Sequence, residues 1–87
     1  MKQAIIECFQ IDGRGTAVVV PTATDLPAGK LLNAIVGFPE GGEAFRAQAF
    51  KEFLLRREAG PVEQESYLLI GVTKDQIPDG AVIEVAL

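Results

Sequence analysis

Histidine is absent from this 87-residue sequence. With it go the commonest general base, the usual activator of a serine or cysteine nucleophile, and the usual zinc ligand. Ser66 and Thr16 therefore have no imidazole to activate them. Cysteine is nearly absent too: Cys8 stands alone, so no intrachain disulfide can form. Together with an N-terminus unlike a signal peptide, this makes a reducing cytoplasm the expected compartment. Cys8 lies in an apolar run, which favours a small core residue over a reactive thiol. No apolar stretch approaches the roughly 18–20 residues that cross a bilayer as a helix, so no membrane contact is expected. Bases are scarce near the C-terminus, where residues 58–87 hold only Lys74 against six acids, while residues 1–57 are near balance.

What is present is a globular composition, 48% hydrophobic and 23% charged, with a net charge of −4. The length suits one domain spanning residues 1–87, with a radius of gyration of about 12 Å. It excludes a complete GTPase, a dinucleotide-binding enzyme or a (β/α)8 barrel. Arg46, Lys51, Arg56 and Arg57 form the one basic cluster in the sequence. Such a cluster is either a phosphate-contacting patch or a solvated strand end, and the solvated strand end is the expectation.

Along the chain, residues 4–11 read as a strand rich in β-branched and aromatic side chains. Asp12-Gly13-Arg14-Gly15 supplies the positive φ angles of a tight hairpin into a second strand, Thr16 to Val20. Residues 30–38, 64–72 and 81–86 read as further strands. Segment 43–57 is ambiguous. Phe45, Ala47 and Ala49 alternate with polar residues, whereas Phe50, Phe53 and Leu54 fit a helical spacing. A long strand with a bulge near Lys51 is preferred, and a helix is the alternative. Six strands with short Gly- and Pro-containing turns predict an all-β, antiparallel barrel or sandwich. A closed barrel is favoured because it leaves no free edges.

Phosphate-loop chemistry is not indicated. Gly29-Lys30 lacks the earlier glycine and the following Ser or Thr, having Thr24 and Leu31 at those positions. Gly13-Arg14-Gly15 is too short to cradle a pyrophosphate. Among the carboxylates, Glu58, Glu63 and Glu65 are the nearest thing to a divalent-ion ligand set. No catalytic, metal or cofactor residue is assigned, and an enzyme is not expected.

Two segments carry a family pattern. Phe9-Gln10-Ile11-Asp12-Gly13-Arg14-Gly15-Thr16-Ala17-Val18 resembles the "F-x-I-x-G-R-G-T-V" opening of the second domain of elongation factor Tu and related translational GTPases. The run from Leu68 to Ile83 looks like that domain's "L-L-R-G-V-x-K-D-x-I-x-R-G-x-V-I" close. The resemblance covers residues 4–87. It implies a six-stranded closed translation-factor barrel, and by carry-over the binding residues Gly13, Arg14, Gly15, Thr16, Glu52, Phe53, Glu63 and Gln64. It implies protein biosynthesis as the context, with a protein, a ribosomal surface or an aminoacyl-tRNA end as partner. Two departures stand against the tRNA pocket. Leu54 occupies the place of an arginine, and both glycines flanking the Glu63-Gln64 segment are missing. A leucine cannot supply the charge-assisted bonds of an arginine fork. This chain alone holds no GTP-binding domain.

The expectation from sequence is therefore a non-catalytic binding module. The other expectation is a scaffold that self-associates as a homodimer, because a small domain has a weak core and exposed strand ends.

Overall fold

The computed structural model describes residues 2–22, 24–38, 41–52 and 64–87. They form seven strands: β1 (Lys2–Ala4), β2 (Glu7–Ile11), β3 (Gly15–Val20), β4 (Leu32–Gly37), β5 (Phe45–Glu52), β6 (Glu65–Ile70) and β7 (Val82–Ala86). A single 3-10 turn, Lys74–Gln76, lies between β6 and β7. All the pairings are antiparallel, in the order β1-β7-β4-β5-β6-β3-β2. The radius of gyration is 12.3 Å.

The all-β expectation holds, but the closed six-stranded barrel does not. The sheet is an open, curled half-barrel whose two edges stand 9 Å apart. The cause is local. The segment read as one strand over 4–11 is two strands meeting at Ile5–Ile6. Ile5 donates its N–H to the Ala81 carbonyl on the β7 side (3.1 Å), and Ile6 donates to Val19 on β3 (2.8 Å). Val19 is also the register partner of Glu7, so two residues here oppose one, as in a β-bulge. The bulge turns the chain from one end of the sheet to the other. β1 and β2 are successive pieces of one segment, β1 paired to β7 and β2 to β3, and no ladder joins them, which leaves the sheet open.

The resemblance to the elongation factor Tu domain implied that closed barrel, and the open seven-stranded sheet overturns it. The translation-protein barrel and the protein-biosynthesis context expected from it lose their basis.

Side-chain parity sets the two faces of the sheet. Val18, Val20, Leu32, Ala34, Val36 and Leu69 point to the inner face and are almost fully buried. Each large one contributes roughly 1.5–3 kcal/mol of burial energy. β4 shows the period of two most cleanly: Leu32, Ala34 and Val36 are buried, Asn33 and Ile35 exposed. β3 is buried along its whole length. β5 is a strand through Glu52, and its register with β6 is unbroken from Ala49 to Glu52. The bulge expected near Lys51 is absent there. The rest of the ambiguous segment, from Phe53 on, lies outside the described residues.

Candidate binding surface

The β2–β3 hairpin is built as its glycines require. Arg14 N–H bonds the Ile11 carbonyl at 3.1 Å and closes a turn over Asp12, Gly13 and Arg14. Gly13 has φ +79°, with open space around it. Gly15 has φ +148°, and a Cβ there would lie 2.0 Å from the Leu69 carbonyl oxygen. Gly15 is thus fixed both by its backbone angle and by the close approach of β6. Thr16 is fully buried and donates its hydroxyl to the Val72 carbonyl at 2.7 Å. It ties strands together and presents nothing to a ligand.

Arg14 and Glu52 are brought together, with Arg14 Nη2 lying 4.0 Å from Glu52 Oε1. Both side chains are substantially exposed, 59% and 36%. Beside them the outer face holds a depression of about 250 Å³ lined by Gly13, Arg14, Phe50, Leu68 and Ile70. Among the other residues carried over by resemblance, Gln64 is exposed just before β6, next to Glu65, which pairs with the far end of β3 at Val20. It is therefore at the opposite end of β6 from the hairpin. Phe53 and Glu63 lie outside the described residues.

The outer face divides into two halves. On β2, β3, β6 and β5 one cross-strand row reads Phe9, Ala17, Leu68, Phe50. A neighbouring row reads Ile11, Gly15, Ile70. Phe9 is 52% and Ile70 38% exposed. On β1, β7, β4 and β5 the corresponding row reads Lys2, Glu84, Ile35, Arg46. The first two rows are apolar, with Ala17 and Leu68 buried in them, and the last alternates in charge around Ile35. The basic cluster expected from sequence is split by the same parity. Arg46 faces outward, while Lys51, an odd number of residues along, faces inward. Arg56 and Arg57 lie outside the described residues.

Lys51 belongs to a polar cluster on the inner face that sequence reasoning missed. Its ammonium donates to the carbonyls of Thr24 (2.9 Å) and Leu26 (2.8 Å) and stands 3.1 Å from Glu65 Oε2. Glu65 also accepts the Thr24 N–H and the Thr24 hydroxyl, each at 2.8 Å, and the Tyr67 hydroxyl. Glu65 and Tyr67 are buried. Burial by itself would raise the Glu65 pKa. The bonds from Tyr67, Thr24 and Lys51 outweigh it and hold the carboxyl below its ordinary value. The Tyr67 hydroxyl is pushed up to about 12, first by burial and then by donating to Glu65.

The adjoining cavity, about 50 Å³ between Gln3, Thr24, Tyr67 and Ile83, is too small for a substrate. The cluster fastens the β3–β4 connection to the sheet and has no room to do chemistry. The available signal was parity: Glu65, Tyr67 and Leu69 alternate on β6, as Ala47, Ala49 and Lys51 do on β5. The position of Thr24 opposite them carried no such signal. Glu65 was named as a metal-ligand candidate with Glu58 and Glu63, but its oxygens are engaged by this cluster. Glu58 and Glu63 lie outside the described residues. Among the described residues no group of three or more Cys, Asp or Glu is placed to hold a metal ion.

A second concavity, about 430 Å³, runs along β2 between Cys8, Phe9, Ile77 and Pro78. It is bounded by two ties: Ile5 N–H to Ala81, and the Lys74 N–H to Gln10 Oε1 at 2.8 Å. Cys8 packs half-buried against the core at its wall. Among the described residues no helix is long and apolar enough to cross a membrane.

Comparison with models of protein families, with curated proteins and with solved structures returned no match for this chain.

Proposed function

We infer that this chain is a non-catalytic binding module that docks on a protein through the apolar half of its outer face. The observation that carries this reading is the contrast between the Phe9–Ala17–Leu68–Phe50 row and the charged Lys2–Glu84–Ile35–Arg46 row of the same sheet. Phe9 and Ile70 are the exposed members of this half, 52% and 38%, while Ala17 and Leu68 between them are buried; exposed apolar side chains rimmed by polar groups mark interaction sites. A nucleic-acid ligand is disfavoured by the net charge of −4 and by Arg14 lying beside a carboxylate. The single, unpaired Cys8 supports a reducing compartment such as the cytoplasm.

The test is affinity capture from the source cells with three baits: the unaltered chain, Ile70→Lys on the apolar half and Lys2→Glu on the charged half. A stoichiometric protein held by the first and third and lost by the second supports the reading. Equal capture by all three overturns it, as does recovery of ribosomes or tRNA in place of a protein.

A further inference from the structure

We propose that the free edge of β2 is a peptide slot, which takes one extended polypeptide segment carrying a lysine or arginine. It is a different surface from the outer face and does not rest on that reading; only Phe9 borders both. β2 ends the strand order and pairs with β3 on one side alone. In an antiparallel strand alternate residues turn their N–H and C=O to each side. Half the backbone groups of β2 therefore face away from β3, where among the described residues no strand pairs with them. Such an edge is a template for one more strand, and only another backbone supplies the matching row of donors and acceptors.

The seam of the half-barrel is shut at one end and open at this one. At β1 the Gln3 side chain copies a ladder rung. Its Nε2 donates to the Thr22 carbonyl (3.0 Å), and its Oε1 accepts the Thr22 N–H (2.8 Å). Past Ile5, which bonds Ala81, the chain leading into β7 turns away. The Ala81 N–H closes that turn on the Pro78 carbonyl at 3.2 Å, with Gly80 at φ +86°. β2 and the turn part around the hollow of about 430 Å³ and are tied again where the Lys74 N–H bonds Gln10. Between the two ties lie Ile6, Glu7, Cys8 and Phe9, about 13 Å of extended chain. The turns flanking this edge admit a single chain and would collide with the edge of a second sheet.

The walls specify the occupant's side chains. Ile6 is 48% and Phe9 52% exposed, and Ile77 and Pro78 form the facing wall, so apolar side chains find cover there. Exposed Glu7 and Asp79 line the slot from its two walls, and Lys74 stands at the Gln10 end. A base on the occupant complements both carboxylates, whereas an acid beside them is repelled.

An NMR titration of the whole chain with two short peptides tests the proposal: acetyl-Thr-Val-Lys-Val-Thr-amide, and the same peptide with glutamate in place of lysine. The lysine peptide is expected to shift the amides of Ile6 to Phe9 and of Gly80 saturably. The glutamate peptide is expected to bind at least about tenfold more weakly. N-methylating alternate amides of the lysine peptide is expected to abolish binding in one phase of the alternation only, since every second N–H reaches β2. The double variant Glu7→Lys, Asp79→Lys, altered at two exposed positions, is expected to reverse the preference in favour of the glutamate peptide. Absence of shifts with both peptides overturns the slot. Binding indifferent to N-methylation overturns strand addition, and a preference unmoved by the double variant overturns the basic side chain as its determinant.

Discussion

Two ion pairs of this chain are chemically alike and physically opposite. Lys51 and Glu65 meet at 3.1 Å on the inner face, 18% and 7% exposed, with Thr24 and Tyr67 filling the remaining positions on the carboxylate. Arg14 and Glu52 meet at 4.0 Å on the outer face, largely in water. The inner pair has no alternative partner, because its ammonium and carboxylate are committed to the β3–β4 connection. The outer pair has water as a partner already and exchanges it for another at little cost. Burial, not residue type, makes one pair a fastening and leaves the other open to a partner.

Substitutions separate the two. Gly15→Ala, under the hairpin that carries Arg14, drives a methyl group into the Leu69 carbonyl and is expected to cost about 3 kcal/mol or more. Gly13→Ala, in open space but at positive φ, is expected to cost about 1 kcal/mol. Chemical denaturation measures both. Lys51→Met strands a buried carboxylate without its cation and is expected to cost about 3 kcal/mol. If Lys51→Met proves no more harmful than Arg14→Met, the contrast between the pairs is broken.

The inner cluster also has a pH signature. The folded-state pKa of Glu65 is depressed, so its contribution is present above the ordinary carboxylate value and lost as pH falls through the depressed one. The folded-state pKa of Tyr67 is raised from 10 to about 12, so its contribution is full below pH 10 and lost as pH rises toward 12. Tyr67→Phe is expected to cost about 1–2 kcal/mol at neutral pH and to flatten the alkaline limb of a melting-temperature profile. An unchanged alkaline limb would show that the hydroxyl is not held neutral by the fold. The smallest effect is expected on the outer face, where Arg14→Ala changes stability by less than about 0.5 kcal/mol.

Some of this was legible in the residues. The Asp12–Gly15 hairpin was, because only glycine tolerates those backbone angles. The alternation of Leu32, Ala34 and Val36 gave β4, and the strands through Tyr67 and Ile83 followed from β-branched and aromatic runs. The break at Ile5–Ile6 was not legible. The run from Ala4 to Ile11 has no glycine or proline to mark it, and the bulge exists only because Val19 and Ala81 stand on either side. That one unseen break turned six strands into seven, and no ladder joins the two pieces at the open edges of the sheet. The motif match survived as a hairpin, because Gly13 and Gly15 hold the positive φ angles it needs, and failed as a kinship.

Of the residues carried over for binding, Arg14 and Glu52 meet in space, and Thr16 turned out to be a buried tie. The apolar strip beside them was not foreseen. Its members come from four strands, and no window of sequence holds two rows at once.

The chain's own order of residues decided the all-β class, the hairpin and the alternation of faces, because backbone sterics and the two-residue strand period act within a few residues. Tertiary structure alone decided which charge pair is buried and which is exposed, and that Phe9, Leu68 and Phe50 share one face of the sheet. Both depend on strand register, which sums contributions from segments dozens of residues apart.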